Sequence, residues 1–462
     1  TQRAGHRGWP RQKVAARVSA IKAGPMRMSA FVLTSVLAAR SAYADDVVAE
    51  VDSDDTVAAD DAAGTVDATE ISASGSLGVG AFDARAASTL DLGVDLRRHE
   101  LSIGIGGRLR LVAGDGLRTA DWDEADEGLR FVRYLTYRHP GREPADTSWS
   151  VALGPLSGVS LGHATLLSGF TDSLNVDHGT SGAHFRLSSP RVDLEAMVDG
   201  LANPWLFAGR GAVAFGEGWQ VGATLALDRD APGGAGGPRA LGAVSGDVSW
   251  RPLDVENGWT GALTADVVHL VGLGSGVHAG VETEFRKARL ATLKLEAQAR
   301  LGTSGYLPGW FSALYLIERV QFGLERGAAG IGQVSAAQQT DFSGVGLRLA
   351  ATVADPAWGR VEAAYELRAK THDLATARVL LPTFASVQMG AWLALTRVTP
   401  PFGAPPPASA GLTGALALEA RVPLPRSLYL SAELARVLGD GAMPQELAPV
   451  WIASVGVGAV LR

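Results

Sequence analysis

The run Gly158-Val159-Ser160-Leu161-Gly162 has the G-x-S-x-G spacing of a nucleophile elbow, and His163 follows it directly. In an elbow, a sharp strand-to-helix turn raises the serine hydroxyl toward an oxyanion hole, and a histidine takes its proton. Here Val159 and Leu161 alternate with Ser160 as in a strand, and no helical pattern follows. The match therefore reads as a by-product of strand alternation. None of the nine His residues forms an H-E-x-x-H pair, and there is no cysteine to serve as thiol nucleophile or soft metal ligand. A Walker A loop is absent, and five Lys leave little for Schiff-base chemistry. The reading is a non-enzyme with no cofactor and no metal site. A hydrolase built on Ser160 is the minor alternative.

A second set of reactive groups has a clearer spacing. Arg108 and Arg110, Glu282 and Glu284, and Glu419 and Arg421 lie two residues apart. So do Lys294 and Glu296, and Glu366 and Arg368; Arg300, Arg348 and Glu362 fall on the same face of their segments. Two-residue spacing puts side chains on one face of a strand. The intervening positions are apolar. Leu101, Ile103, Ile105, Leu109 and Leu111 interleave with Arg108 and Arg110, and Val345, Leu347, Leu349, Ala351 and Val353 interleave with Arg348. Similar stripes run through Leu90–Leu96, Val277–Phe285, Leu293–Leu301, Val361–Leu367, Val387–Leu395, Leu412–Val422 and Trp451–Leu461. Strict alternation over this length is the strand signal.

Many stripes run 9–13 residues, longer than the ~5–6 of soluble sheets and close to the ~9–11 that cross a bilayer at a tilt. The charged face cannot pack dry, because a buried unpaired charge costs several kcal/mol. It can line a water-filled lumen. Connections come in two kinds: tight ones at Ser189-Pro190, Gly216-Glu217, Lys287-Ala288 and Pro423–Arg426, and long ones at Ala113–Gly128, Arg229–Arg239, Ala328–Thr340, Val398–Ala410 and Gly439–Pro449. Short turns on one rim and long loops on the other suit an outer-membrane barrel. Trp149, Trp205, Trp219, Trp250, Trp259, Trp358 and Trp451 fall near strand ends, where an aromatic girdle would lie. Around Gly302–Gly327 and Thr371–Phe384 the pattern fits one strand or two.

Composition agrees. Among 462 residues there are 57 Gly, too many for a helical bundle and without a collagen period. Charged residues make up 19%, below the ~25% of soluble domains. A net charge of -7 and no basic patch interleaved with aromatics exclude nucleic acid as a partner. Residues 1–44 carry eight Lys/Arg and no acid; Met26-Arg27-Met28 precedes the apolar run Ala30–Ala39 and the A-x-A site Ala42-Tyr43-Ala44. That order is a Sec-type signal peptide, with residues 1–25 reading as an over-extended start. Residues 45–70 hold ten acids and no base, the composition of a disordered tail. Residues 71–462 are the barrel, with 33 Lys/Arg and 38 Asp/Glu.

From Ile71 on, the chain resembles Gram-negative outer-membrane β-barrel proteins of the porin type. The resemblance implies an all-β fold: a transmembrane antiparallel up-and-down β-barrel of about 16–22 strands, best 18–20, counted from chain length at porin-like spacing. It departs from the family in ending Leu461-Arg462 where an aromatic residue is usual. The implied partners are outer-membrane lipids and lipopolysaccharide, the barrel-assembly machinery during biogenesis, and small hydrophilic solutes, in a Gram-negative cell outer membrane; oligomeric state stays open. The implied function is a channel with a polar, charge-mixed lumen. A lipid-modifying barrel enzyme and a plugged structural or adhesive barrel are the alternatives. One segment, Ala164–Ser181, is read as a loop between strands at Val159–His163 and Gly182–Leu187. It is either an ordinary extracellular loop or an inward one that narrows the pore, which would place Asp172, Asp177 and His178 at the constriction.

Overall fold

The computed structural model describes residues 69–82, 85–118, 128–141, 146–172, 180–231, 239–255, 258–286, 292–312, 315, 344–355, 359–367, 373–381, 388–398, 413–438 and 451–461. The leader read over residues 1–44 and the acidic segment up to residue 68 lie outside them; Glu70 already opens the first strand. In chain order the strands are β1 (Glu70–Phe82), β2 (Arg85–Arg98), β3 (Leu101–Val112), β4 (Gly116–Leu117), β5 (Val132–His139), β6 (Ser148–Gly154), β7 (Leu167–Ser168), β8 (Gly182–Ser188), β9 (Val192–Val198), β10 (Leu206–Phe215), β11 (Trp219–Ala231) and β12 (Arg239–Val255). They continue as β13 (Trp259–Leu270), β14 (Gly274–Arg286), β15 (Thr292–Gly302), β16 (Phe311–Ser312), β17 (Gly344–Asp355), β18 (Gly359–Leu367), β19 (Asp373–Leu381), β20 (Gln388–Val398), β21 (Thr413–Pro423), β22 (Leu428–Leu438) and β23 (Trp451–Leu461). Each long strand pairs antiparallel with the next one along the chain, and β1 pairs with β23 from Ala73↔Leu461 to Phe82↔Ile452. The sheet therefore closes as a barrel of 20 strands. Closure leaves no backbone edge for lipid to solvate, which is the condition for a strand protein to span a bilayer. The two-residue β4 folds back on β3, and β7 and β16 pair with each other instead of joining the wall.

The alternating stripes fix the register. In β2 against β3, Leu90↔Leu109 and Val94↔Ile105 share one face while Asp91↔Arg108 share the other. The stripe faces outward: Leu77, Leu92, Ile105, Leu225, Val267, Val277, Leu301 and Val457 are all exposed, Leu225 to 62%. A large apolar exposed band on a monomer needs a non-aqueous covering; a bilayer around the barrel supplies it. The inverse pattern holds on the inward face, where Thr224, Ser245, Asp247, Asp266, Gln298, Arg300 and Arg378 are buried.

Strand alternation assigns the rims. Glu70 and Leu461 lie on one rim, and the strand ends joined by all four connections read as tight from the sequence lie on that rim; the strand ends joined by all five read as long lie on the opposite one. On the short-turn rim, Phe215, Trp219 and Trp250 stack in sequence (6.4 and 5.5 Å between centroids), Trp259 packs on Phe285 at 4.7 Å, and Trp149 on Tyr137 at 4.9 Å. These are half-exposed rings on the outward face, as an interfacial girdle requires. Trp205 differs: it lies at the long-loop rim and packs against the interior cluster. Trp358 and the side chain of Trp451 lie outside the described residues.

One sequence expectation is corrected. Val159–His163 is not a wall strand. Gly154, Gly158 and Gly162 take φ of 129°, 76° and 58°, left-handed or strained values that turn the chain off the sheet, and Val159 makes only an isolated bridge to Phe170. The wall resumes at β8, so the segment between β6 and β8 starts at Pro155 and is one long connection. The stretch after Gly302 likewise leaves the wall, with Phe311–Ser312 as a short interior strand.

Candidate functional site

Two connections from the long-loop rim fold into the barrel. The first is Pro155–Asp172, the second Thr303–Phe311 with Tyr315. They meet at the parallel pair Leu167↔Phe311 and Ser168↔Ser312, and Gly309 and Phe311 amides donate to the carbonyls of Thr165 and Leu166 at 2.9 and 3.2 Å. Their side chains Leu161, Leu166, Leu167, Phe170, Trp310, Phe311 and Tyr315 form one buried cluster with Leu206, Ala226, Leu241, Ala243, Val268 and Leu270 of β10–β13. The reason is local sequence. Near the long-loop rim the inward positions of β12 and β13 are Leu241, Ala243, Leu270 and Val268; deeper they become Ser245, Asp247, Asp266 and Thr264. An apolar patch inside a charged barrel is covered by an apolar plug. Two tyrosines fasten the second segment: Tyr315 Oη donates to Asp228, and Tyr306 Oη meets His278 Nε2 at 2.7 Å.

Below the plug the described inward face carries charged side chains, most of them paired across strands and Arg360 with Glu362 within a strand. Arg210 on β10 holds Asp247 on β12 through Nη2 at 2.7 Å and Nε at 3.3 Å. It passes over β11 at Gly222, where a Cβ would sit 2.7 Å from both partners. Arg300 pairs with Glu366 at 2.8 Å, Lys294 with Glu282 at 3.1 Å, Arg186 with Glu195 at 3.4 Å, Arg348 with Glu296, and Arg360 with Glu362. Arg108 bridges Asp91 at 2.9 Å and Glu433 at 2.6 Å; the strands β2, β1 and β23 separate β3 from β22, so this contact reaches inward across three strands. Asp247 and Asp266 face each other in register on β12 and β13, both buried, with Gln298 Nε2 at 3.5 Å from Asp266.

The tip of the first segment, Gly158 to Ala164, and the charged wall bound a cavity of about 590 Å³, within the range that holds a small molecule. Arg186, Glu195 and His184 line it from β8 and β9; Glu282, Lys294, Glu296, Arg348, Glu362 and Arg378 from β14–β19; Trp392 from β20. Opposite charges alternate around it, so no ring of one sign forms among the described residues.

The sequence-predicted residues fall as follows. Glu282, Lys294, Glu296, Arg348, Glu362 and Glu366 come together at this cavity. Arg300, fully buried, lies behind it on Glu366. Arg108 belongs to the separate pair with Asp91 and Glu433, Glu284 to a pair with Arg286 toward the short-turn rim, and Arg421 lies over the Tyr429 ring at 4.1 Å. Arg110 is buried and Glu419 half-buried on the inward face. Arg368, Asp177 and His178 lie outside the described residues. Asp172 is 1% exposed and its Oδ1 accepts the Leu156 amide at 2.8 Å, so it braces the inward segment. Ser160 Oγ accepts the Gly169 amide at 2.8 Å. Residues that sequence reading passed over include Arg210, Asp247, Asp266, Arg378 and Trp392. Their signal was the same two-residue spacing, in the segments Leu206–Leu270 and Asp373–Val398. Among the described residues no group of three His, Asp or Glu stands where it could hold a metal.

A closed, even-numbered antiparallel barrel with an apolar exterior, an aromatic girdle at the short-turn rim and both ends of the sheet on that rim has the architecture of a transmembrane β-barrel. Solved structures similar to it include OccAB3 of Acinetobacter baumannii (6% identity over 85% of this chain and 98% of that one, TM-score 0.32) and the outer membrane protein OprD of Pseudomonas aeruginosa (10%, 85% and 94%, TM-score 0.33). A third is Wzi of Escherichia coli, described as a carbohydrate-binding β-barrel involved in group 1 capsule assembly (10%, 84% of each chain, TM-score 0.34). These scores are low, and the barrel assignment stands on this chain's own strand pairing. No protein-family model and no curated protein matches the sequence.

Proposed function

We propose that the protein is an outer-membrane channel through which small hydrophilic solutes pass, narrowed by the two inward segments. The observation that supports this most is the charged, pairwise-neutralised inner face around a cavity beneath the plug. A barrel of this strand number is wide enough to keep an aqueous path beside interior loops. Matched charges let water and polar solutes wet the wall without binding one ion sign tightly, and strong selectivity needs rings of one sign. The passage is therefore weakly selective, and the solute is polar and small enough to pass a constriction set by Gly162, His163 and the facing wall. The hydrolase alternative rests on the G-x-S-x-G spacing alone; in the fold Ser160 Oγ accepts the Gly169 amide within the inward segment. Liposome swelling tests the proposal. Vesicles containing the protein should swell in isotonic monosaccharide faster than in trisaccharide, and vesicles that stay as tight as protein-free controls would refute it.

A further inference from the structure

We propose that the tip of the first inward segment, Gly162-His163, is an acid-released latch seated on the Arg210–Asp247 ion pair. The seat is built by three features. Gly222 clears the path for Arg210 to reach Asp247. Gly162, at φ 58°, lies so close to Arg210 that a Cβ there would come 2.8 Å from its Nε. His163 then rests beside Asp247, with Nε2 3.8 Å from Oδ1, too far for a hydrogen bond, and that nitrogen is buried without a hydrogen-bond partner.

The position favours a neutral imidazole over an imidazolium. The nearest carboxylate is already held by two nitrogens of Arg210, so a proton on His163 would add a second cation beside a satisfied pair. The charged groups that bear on the ring are Asp247, Glu282 and Glu296, which favour the proton, and Arg210, which opposes it. Burial outweighs them and lowers the ring below its usual value of ~6.5. The seated loop thus binds a proton less well than a released loop, whose His163 is in water. By linkage the seat is fully stable above ~6.5 and weakens as pH falls through that value toward the lowered one. Acid frees the tip, and because the tip bounds the cavity, it widens the narrowest part of the barrel. The latch is a property of the loop; only its effect on conductance rests on the channel reading.

The chain has no cysteine, so a single thiol reports release. Thr165→Cys places a near-isosteric thiol in a buried position two residues from the latch. Its labelling rate by a methanethiosulfonate reagent is compared, in the full chain in lipid vesicles, between the native His163 background and His163→Gln. The ratio of the two rates cancels the thiol's own pH dependence. It should rise several-fold from pH 8 to pH 5, and a flat ratio overturns the latch. A second readout needs no cysteine: in planar bilayers, visits to a larger conductance level should grow more frequent at pH 5 than pH 8 for the native chain and stay constant for His163→Gln. Equal pH dependence in both chains overturns the proposal. Labelling that depends on pH in a protein without conductance would keep the latch and refute the channel.

Discussion

Leu349 and Ala350 are neighbours on β17, midway along the strand, yet they should respond to the same substitution in opposite ways. Leu349 is 47% exposed on the outer surface, flanked in register by Ala297 and Tyr365. Ala350 faces inward and lines the cavity among Arg348, Thr352 and Glu362. In Leu349→Arg the guanidinium must lie in hydrocarbon near the bilayer midplane, which costs ~2–4 kcal/mol in such barrels. At 1.4 kcal/mol per factor of ten, that is roughly a 30- to 700-fold loss in the folding constant. In Ala350→Arg the same group enters a wall already carrying Glu296 and Glu362, where the cost should stay below about 1 kcal/mol. Urea-dependent refolding into phosphatidylcholine vesicles, followed by tryptophan fluorescence and by gel mobility without heating, measures both. Similar losses for the two variants would mean that the period-two assignment of faces is wrong.

Selectivity should respond to pairing. Glu296→Gln frees Arg348 at the cavity and should shift the reversal potential in a salt gradient toward anions, whereas Asp172→Asn should leave the potential unchanged and lower stability, because Asp172 serves the Leu156 amide. An equal shift in both would place Asp172 in the pore. Asp199 is buried and accepts the Trp205 and Leu206 amides, each at 2.9 Å; Asp199→Ala should cost ~1–3 kcal/mol in the same refolding assay, and no loss would show that the turn before β10 is held by other contacts. Gly162→Ala, which adds a Cβ against Arg210 at a left-handed backbone position, should raise labelling of the Thr165→Cys thiol at pH 8 several-fold, and unchanged labelling would mean the seat is loose.

The wall was legible because its residues obey one simple rule. Where Leu, Val and Ile alternate with charge, as in β3, β14, β15 and β17, the strand and its outward face follow from spacing alone. The short-turn and long-loop rims followed from connection length. The inward segments were harder. Pro155–Asp172 carries the same apolar–polar alternation around Val159-Ser160-Leu161, and only the positive-φ glycines and the apolar patch on β10–β13 divert it from the wall. Those causes are tertiary: no local pattern says that Leu241 and Leu270 face inward near the rim and need a cover. Asp172 was legible as a polar group in an unusual loop, but its role depends on a contact sixteen residues away. The charged wall was found in part, and what it lacked, Arg210, Asp247 and Asp266, lay in strands whose small and polar residues dilute the apolar stripe.

Single-channel recording in planar bilayers tests the central claim most directly. Refolded, heat-modifiable protein should insert with discrete conductance steps in molar potassium chloride, with a reversal potential close to zero in a gradient and a modest lean toward cations. Well-folded protein that inserts and gives no steps would contradict the account, and would leave the inward segments as a permanent plug in a closed barrel.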